Sequence, residues 1–367
     1  MNCCQFPISP YPVELPRNDL RVMVRLVRLL HKLSENNAYQ ALLEDSLPST
    51  AQLNPGHHGV MMGYDFHLSE SGPKLIEVNT NAGGLWYAYL CAKPLASGFA
   101  GRIADRLLDS FLTEHALFRQ DKGARPETIV ILDSTPESQF LYPEMQVFAD
   151  LFKQAGIDAF IADPARLSAK DGTLYINNQR VDMIYNRHCD FYLQMPELAM
   201  VRDAWLNAQV CLSPNPKVYG LLADKRRMVL WSDPEKLKPL GLTMSELELL
   251  NQTIPPTQML ASLAPEEAWH TRKHWVFKPD TGYASRGVYV GKKLTTAKLA
   301  ELATANTVIQ QWVPPSISTF TDELPFKTDF RLFAYRDRIL GISARLYQGQ
   351  VTNLRTPHGG FAKVLIV

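Results

Sequence analysis

The stretch "KLIEVNTNAGG" (74–84) places a carboxylate, Glu77, and an amide, Asn79, on an apolar strand pattern that breaks at Gly83-Gly84. Residues two apart on a strand share a face, so Glu77 and Asn79 point one way while Ile76 and Val78 point the other way, into a core. The run before it, "MMGYDFHLSE", also alternates, and Ser69–Pro73 is rich in turn residues, so 61–80 is predicted to be a hairpin. Folded about Ser71, that hairpin sets Asp65 opposite Glu77. Adjacent carboxylates repel unless a cation neutralises them. Asp65, Glu77 and Asn79 offer the hard oxygen donors that Mg2+ takes, and Mg2+ usually brings substrate phosphates with it. The exposed polar face of an antiparallel sheet would give the same pattern, and the hairpin alone does not choose between the two.

A second group lies two hundred residues on. "HWVFKPDTGYASRGVYVG" (274–291) reads as two apolar strands around a turn, with Lys278 ending the first strand and Gly282 and Gly287 bracketing the connection. Glycines let backbone N–H groups approach phosphates, and a lysine adds a point charge. Many hairpins carry both residue types without binding anything. Lys225, in "SPNPKVYGLLADKRRMVLW", falls within a predicted helix, where a lysine is usually solvated. "TVIQQWVPP" (307–315) is a strand and an extended hinge that could read an adenine edge, or simply a buried strand before a Pro-rich turn. "KTDFRLFAYRDRILGISARLYQGQVTNLRTPHGGFAKV" (327–364) carries Asp329, Arg331, Arg345, Asn353 and Arg355. Arginines stabilise charge on a transferring phosphoryl group. An Asp329–arginine surface ion pair would be worth little.

The elements that would position these groups follow from periodicity and turn chemistry. Residues 1–16 read as a proline-punctuated arm. Residues 19–33 read as a helix opened by Asn18 or Asp19, with Arg21, Arg25, Arg28 and Lys32 on a solvated face. Residues 38–47 read as a second helix, and 85–117 as more helix interrupted near Pro94 and Gly98. "TIVILD" (128–133), the helix 144–156, "IDAFIAD" (157–163) and "VDMIYNR" (181–187) suggest a small α/β unit with a parallel sheet. Ligands of such sheets bind at strand carboxyl ends, where Asp133 and Arg187 sit. Arg187 suggests an anionic group there, or an interdomain ion pair, with Asp133 and Glu144 as amine contacts. Polar "QDKGARPE" (120–127) marks a boundary. The chain thus divides into 1–120, 126–212 and 213–367, the last strand-rich from 275 onward.

At 367 residues, 46% hydrophobic and 20% charged, the chain suits two or three packed soluble units. A net charge of +1 gives no general pull toward nucleic acid or membrane, and no apolar run is long enough to span a bilayer. The start has no basic or apolar leader. Five cysteines (Cys3, Cys4, Cys91, Cys189, Cys211) are odd in number and scattered, which fits reduced thiols in a cytoplasm.

Together these motifs resemble the ATP-grasp enzymes in circularly permuted order, and the chain is similar to eukaryotic-type glutathione synthetases and bacterial circularly permuted ATP-grasp ligases. "GYDFHL…KLIEVNTNAGG" matches the metal motif, "WVFKPDTGYASRGVYVG" the lysine and glycine loop, and "VIQQWV" the adenine hinge. "DFRLFAYRDRILGISARL…NLRTPHGG" resembles elements of ribosomal-protein glutamate ligases. The resemblance implies an α/β (α+β) fold with a small parallel-sheet substrate domain. It assigns Asp65, Glu77 and Asn79 to Mg2+, and Lys225, Lys278 and the loop residues Gly282, Ser285, Arg286 and Gly287 to ATP phosphates. Gln310, Gln311 and Val313 fall to the adenine and ribose. Arg331, Arg345 and Asn353 would face the transferred phosphate or acyl substrate, with Arg355 beside them. Two positions depart from the pattern: Tyr283-Ala284-Ser285-Arg286 replaces a richer glycine run, and Gln311 stands where relatives often carry an acid.

The expected activity is a Mg2+- and ATP-dependent carboxylate–amine ligase working through an acyl phosphate. Its substrates would be a small-molecule carboxylate and an amine, amino-acid or peptide-like, with no nucleic acid or membrane partner and a homodimer left open. A site rich in lysine, arginine and metal ligands, without a Ser/His or Cys/His pair, suits that chemistry. A small-molecule kinase and a non-catalytic nucleotide-binding regulator are the alternatives.

Overall fold

The structure, a computed structural model, describes residues 7–92, 97–279, 287–320, 325–350 and 352–367. Its largest sheet is antiparallel and joins the two ends of the sequence. The strands run in the order Gly360–Ala362, Arg338–Tyr347, Phe326–Tyr335, Met62–Ser69, Gly72–Asn79, with Ser316–Ser318 also paired to Phe326–Tyr335. The 62–79 hairpin therefore adds to the edge of a strand met some 260 residues later, in the register Arg331 to Asp65 and Asp65 to Glu77.

One face of this sheet packs under the helix Arg17–Ser34 and the 221–254 region, the other under the helices Leu85–Ala92 and Ser97–Arg119. The first helix buries Met23, Leu26, Val27, Leu30 and Leu33 at helical spacing and leaves Arg21, Arg25, Arg28 and Lys32 outside. Each such leucine contributes about 1.5–3 kcal/mol of burial. The helix starts at Arg17, behind Pro16, rather than at Asn18 or Asp19; Asp19 lies in its first turn, where the dipole favours an acid. Asn36 caps the next helix, Asn37–Glu44, by accepting from the Ala38 and Tyr39 N–H groups. Gly98 lies inside a helix rather than at a break, and Pro94 falls outside the described residues.

A four-stranded parallel sheet follows, ordered Cys211–Ser213, Met183–Asn186, Thr128–Leu132, Asp158–Ala162. Its central strands are buried throughout, which explains their continuous apolar runs. A third, antiparallel sheet has the order Thr257–Met259, Thr307–Gln311, Trp275–Pro279, Tyr289–Val290, over its own core of Phe277, Leu299, Leu302 and Ile309. The large sheet and this smaller one face each other across a cavity of about 620 Å3, which the parallel sheet's carboxyl ends also border.

Candidate active site

The hairpin has one irregularity. Asp65 pairs with Glu77, but Phe66 pairs with Leu75, so Ile76 is an extra, bulged residue. Leu75, not Ile76, enters the core with Val78, and Ile76 lines the cavity. The bulge frees the Ile76 carbonyl from the ladder, and it accepts from Lys278 Nζ at 2.7 Å. This bond joins the two facing sheets. Lys278 Nζ also donates to Gln310 Oε1 at 2.7 Å. Burial pushes the Lys278 ammonium down to about 8, reinforced by Lys225 and partly opposed by Glu77 and Asp65. Lysine has no acceptor, so its bond fixes the Gln310 amide with oxygen toward Lys278. Gln310 Nε2 is then a buried donor with no partner among the described residues.

Beside the lysine stands a row of charges. Arg331 holds Asp65 through two bonds, Nε to Oδ1 at 2.6 Å and Nη2 to Oδ2 at 2.7 Å. Arg345 Nη2 adds a third to Asp65 Oδ2 at 2.8 Å, and its Nε donates to Asp329 Oδ1 at 2.5 Å. Thr352 Oγ1 completes Asp329 at 2.8 Å. All four charged side chains are at least nine-tenths buried. Burial raises the Asp65 carboxyl, but the two arginines more than offset it and hold it well below the usual carboxylate range. The Asp329 ion pair is thus a member of a buried network, not a surface pair.

Asp65 is therefore already engaged by guanidinium groups. Glu77 and Asn79 lie next to it, half-buried on the cavity wall, and Asn79 Nδ2 donates to Glu77 Oε1 at 3.1 Å. With that amide nitrogen facing the carboxylates, Asn79 turns its oxygen away from them. A Glu carboxylate and an Asn carbonyl in a polar cavity fit the oxygen donor set of Mg2+. Lys225 lies at a helix break rather than inside a helix. A π-helical turn, Tyr219–Ala223, ends at Asp224, and Lys225 precedes the helix Arg226–Trp231. Asp224 makes the break by accepting from the Arg226 backbone at 3.0 Å and from its side chain. Freed from the helix face, Lys225 Nζ donates to the Pro279 carbonyl at 2.8 Å, beside Lys278.

On the opposite wall, Arg187 stands past the end of Met183–Asn186 and donates from Nη1 to the Asn81 carbonyl at 2.6 Å. A Cβ on Gly83 would lie 2.8 Å from its Nη2 and 2.3 Å from Leu141 Cδ1, so a side chain there would push both of these side chains aside. Asp133 shares this wall; burial raises its carboxyl and Arg187 opposes the rise. Asn353 and Arg355 border the same mouth, with Arg355 over the Phe140 ring at 5.2 Å. Gln311 and Val313 line an adjoining cavity of about 100 Å3 with Gln310 and His67, whose Nδ1 meets the Val313 carbonyl at 2.8 Å. Gly287, at φ +82°, leads into Tyr289–Val290. Gly282, Ser285 and Arg286 lie outside the described residues.

One expected contact does not reach the cavity. Glu144 binds the Gly84 N–H through both oxygens, at 3.0 and 2.9 Å, and the Trp86 N–H at 3.0 Å, capping the helix Leu85–Ala92. Among the residues that sequence reasoning passed over, Phe140, Cys189 and Phe191 line the cavity. Their only signal is proximity in sequence to Glu144 and Arg187.

Two facing sheets closing on lysines, arginines and an acidic hairpin, with the hairpin ahead of the lysines in the chain, define the ATP-grasp fold in circularly permuted order. Among solved structures the chain is similar to a glutathione synthetase-like effector from Globodera pallida, at 12% identity over 98% of this chain and 90% of that one, with a TM-score of 0.57. It is similar also to a candidate gamma-glutamylcysteine synthetase from Methylobacillus flagellatus KT, at 10% identity over 93% and 87%, with a TM-score of 0.52. The ATP-grasp ligase PsnB, solved with its minimal precursor, Mg and ADP, aligns over 64% of this chain and 87% of its own at 13% identity and a TM-score of 0.32. No protein-family model matches the sequence, and no curated protein matches it. No helix among the described residues is long and apolar enough to cross a membrane.

Proposed function

We propose that the protein is a Mg2+- and ATP-dependent carboxylate–amine ligase that releases ADP and phosphate. The observation that carries this reading is one cavity lined by Lys225, Lys278, Arg331, Arg345, Glu77 and Asn79, drawn from four distant stretches of sequence. Lys225 and Lys278 supply positive charge to the nucleotide phosphates. The orphaned Gln310 amide N–H offers a donor to the base. Glu77 and Asn79 hold Mg2+, which when bound neutralises phosphate charge.

In the first step a substrate carboxylate oxygen attacks the γ-phosphorus and ADP leaves. Arg331 and Arg345, already oriented by Asp65 and Asp329, stabilise the charge on the transferring phosphoryl group without reorganising. In the second step an amine attacks the acyl carbon, phosphate leaves, and the amine loses a proton. Arg187 and Asp133 favour a substrate carrying both an anionic and a cationic group, as an amino acid or peptide does. Residues 126–212 are read as the unit that receives it.

The test is ADP release against pooled amino acids, dipeptides and polyamines, with mass spectrometry of the products. Amine-dependent ADP release with a condensed product supports the ligase. ADP release without an amine, with a phosphorylated product, would make the protein a kinase. No nucleotide binding at all would leave a site with neither activity.

A further inference from the structure

We infer that His31, Glu35 and His58 form a binding site for one divalent transition-metal ion of the Zn2+ type, separate from the nucleotide cavity. A ligand atom of each residue lies within 4.8 Å of the other two. His31 and Glu35 are four apart at the end of the Arg17–Ser34 helix and so share a face. His58 comes from the loop before the 62–79 hairpin, and its Nδ1 already sits 3.3 Å from Glu35 Oε1. With metal–ligand bonds of about 2.0–2.2 Å, tetrahedral donors lie about 3.4 Å apart, so closing the site takes a side-chain shift of about 1 Å.

The surroundings favour an ion. The last turn of a helix carries partial negative charge from its free carbonyls, which attracts a cation. The third ligand is held in place from both sides: the His58 N–H donates to Glu114 Oε1 at 3.2 Å, and its carbonyl accepts from Asn215 Nδ2 at 2.6 Å. Two imidazoles and one carboxylate select a borderline ion such as Zn2+ over Mg2+ or Ca2+, which prefer all-oxygen shells. Three protein donors leave a further position for water, and Glu35 and His58 border a solvent-connected cavity of about 340 Å3.

Such an ion would pin the helix to the loop that leads into Asp65. That loop is already connected to the catalytic sheet, since Glu114 also binds Tyr335 at 2.9 Å, at the far end of the Arg331 strand. The site does not depend on the ligase reading and would stand if that reading failed.

The experiment titrates Zn2+ into the untagged, metal-free full chain against a chromophoric chelator, with excess Mg2+ present to fill the oxygen site at Glu77 and Asn79. One Zn2+ per chain and a rise in melting temperature are expected. H31Q and H58Q should each weaken binding at least about tenfold, and H270Q, remote from the cluster, should not. Because Glu35 is exposed, E35Q keeps its fold and tests the site free of any folding defect; it too should weaken binding and change the visible bands of a Co2+ substitute. Absence of stoichiometric Zn2+ binding, or unchanged affinity in H31Q, H58Q and E35Q, would overturn the inference.

Discussion

If Lys278 contacts nucleotide phosphates, its depressed pKa makes ATP binding a proton-uptake reaction. Burial holds the free ammonium at about 8 instead of 10.5. A bound polyphosphate would restore the charge. At pH 9 about nine in ten free molecules carry a neutral Lys278, so affinity should fall roughly tenfold from its value near pH 7.5, a loss of ~1.4 kcal/mol. Binding should take up about half a proton at pH 8 and about 0.9 at pH 9. Calorimetry of a non-hydrolysable ATP analogue, in two buffers of different ionisation enthalpy, measures both quantities, and starting at pH 7.5 limits interference from the γ-phosphate itself. K278R, charged at every pH tested, should flatten the profile whatever its absolute affinity. Constant affinity from pH 7.5 to 9, with no buffer dependence, would refute the link between Lys278 and the phosphates. The free protein carries the complementary signature. Between pH 8 and 10.5 the unfolded chain binds the extra proton, so stability rises with pH across that window, by at most about 3 kcal/mol from this group.

Other outcomes follow from the same geometry. Asp65→Asn leaves two buried arginines short of a counter-charge and should cost about 3–5 kcal/mol in urea unfolding, whatever it does to activity. Glu77→Gln should keep the melting temperature close to that of the parent while cutting Mg2+-dependent ADP release by about 100-fold or more, read as a shifted Mg2+ titration. Glu144→Gln removes a charged helix cap and should cost about 1–2 kcal/mol without altering nucleotide affinity. Arg187→Met should raise KM for the carboxylate or amine substrate in the ADP-release assay and leave the KM for ATP unchanged, since it sits across the cavity from the lysines.

Folding 61–80 about Ser71 put Asp65 opposite Glu77, but the hairpin turns half a residue earlier, pairing Ser69 with Gly72, and it is the Ile76 bulge that restores the Asp65–Glu77 pair. The buried runs at 128–132 and 183–186 likewise announced a parallel sheet. What neutralises Asp65 was not legible. Arg331 lies 266 positions away on the strand that pairs with Met62–Ser69, and Arg345 lies 280 away on the strand beyond it, and no local spacing encodes that. The Ile76 bulge was hidden for a related reason, since it matters only once Lys278 is there to take the freed carbonyl. Glu144 and Lys225 misled in opposite directions. An acid in a helix's first turn resembles an exposed ligand until a second helix presents its N–H groups to it, and a lysine amid helix formers resembles a surface residue until Asp224 breaks the helix before it.

The central place of Phe326–Tyr335, between Arg338–Tyr347 and Met62–Ser69, also sets a schedule for synthesis. The 62–79 hairpin leaves the ribosome early, but the strand that completes it carries Arg331, 266 residues behind Asp65. At about 5–20 residues per second, the hairpin waits roughly 10–50 s with one long edge unpaired and the Asp65 carboxylate without its arginines. An open strand edge is a template for pairing with the wrong chain. During translation, then, the half-built large sheet offers an open edge on which chaperone capture or co-translational aggregation would act.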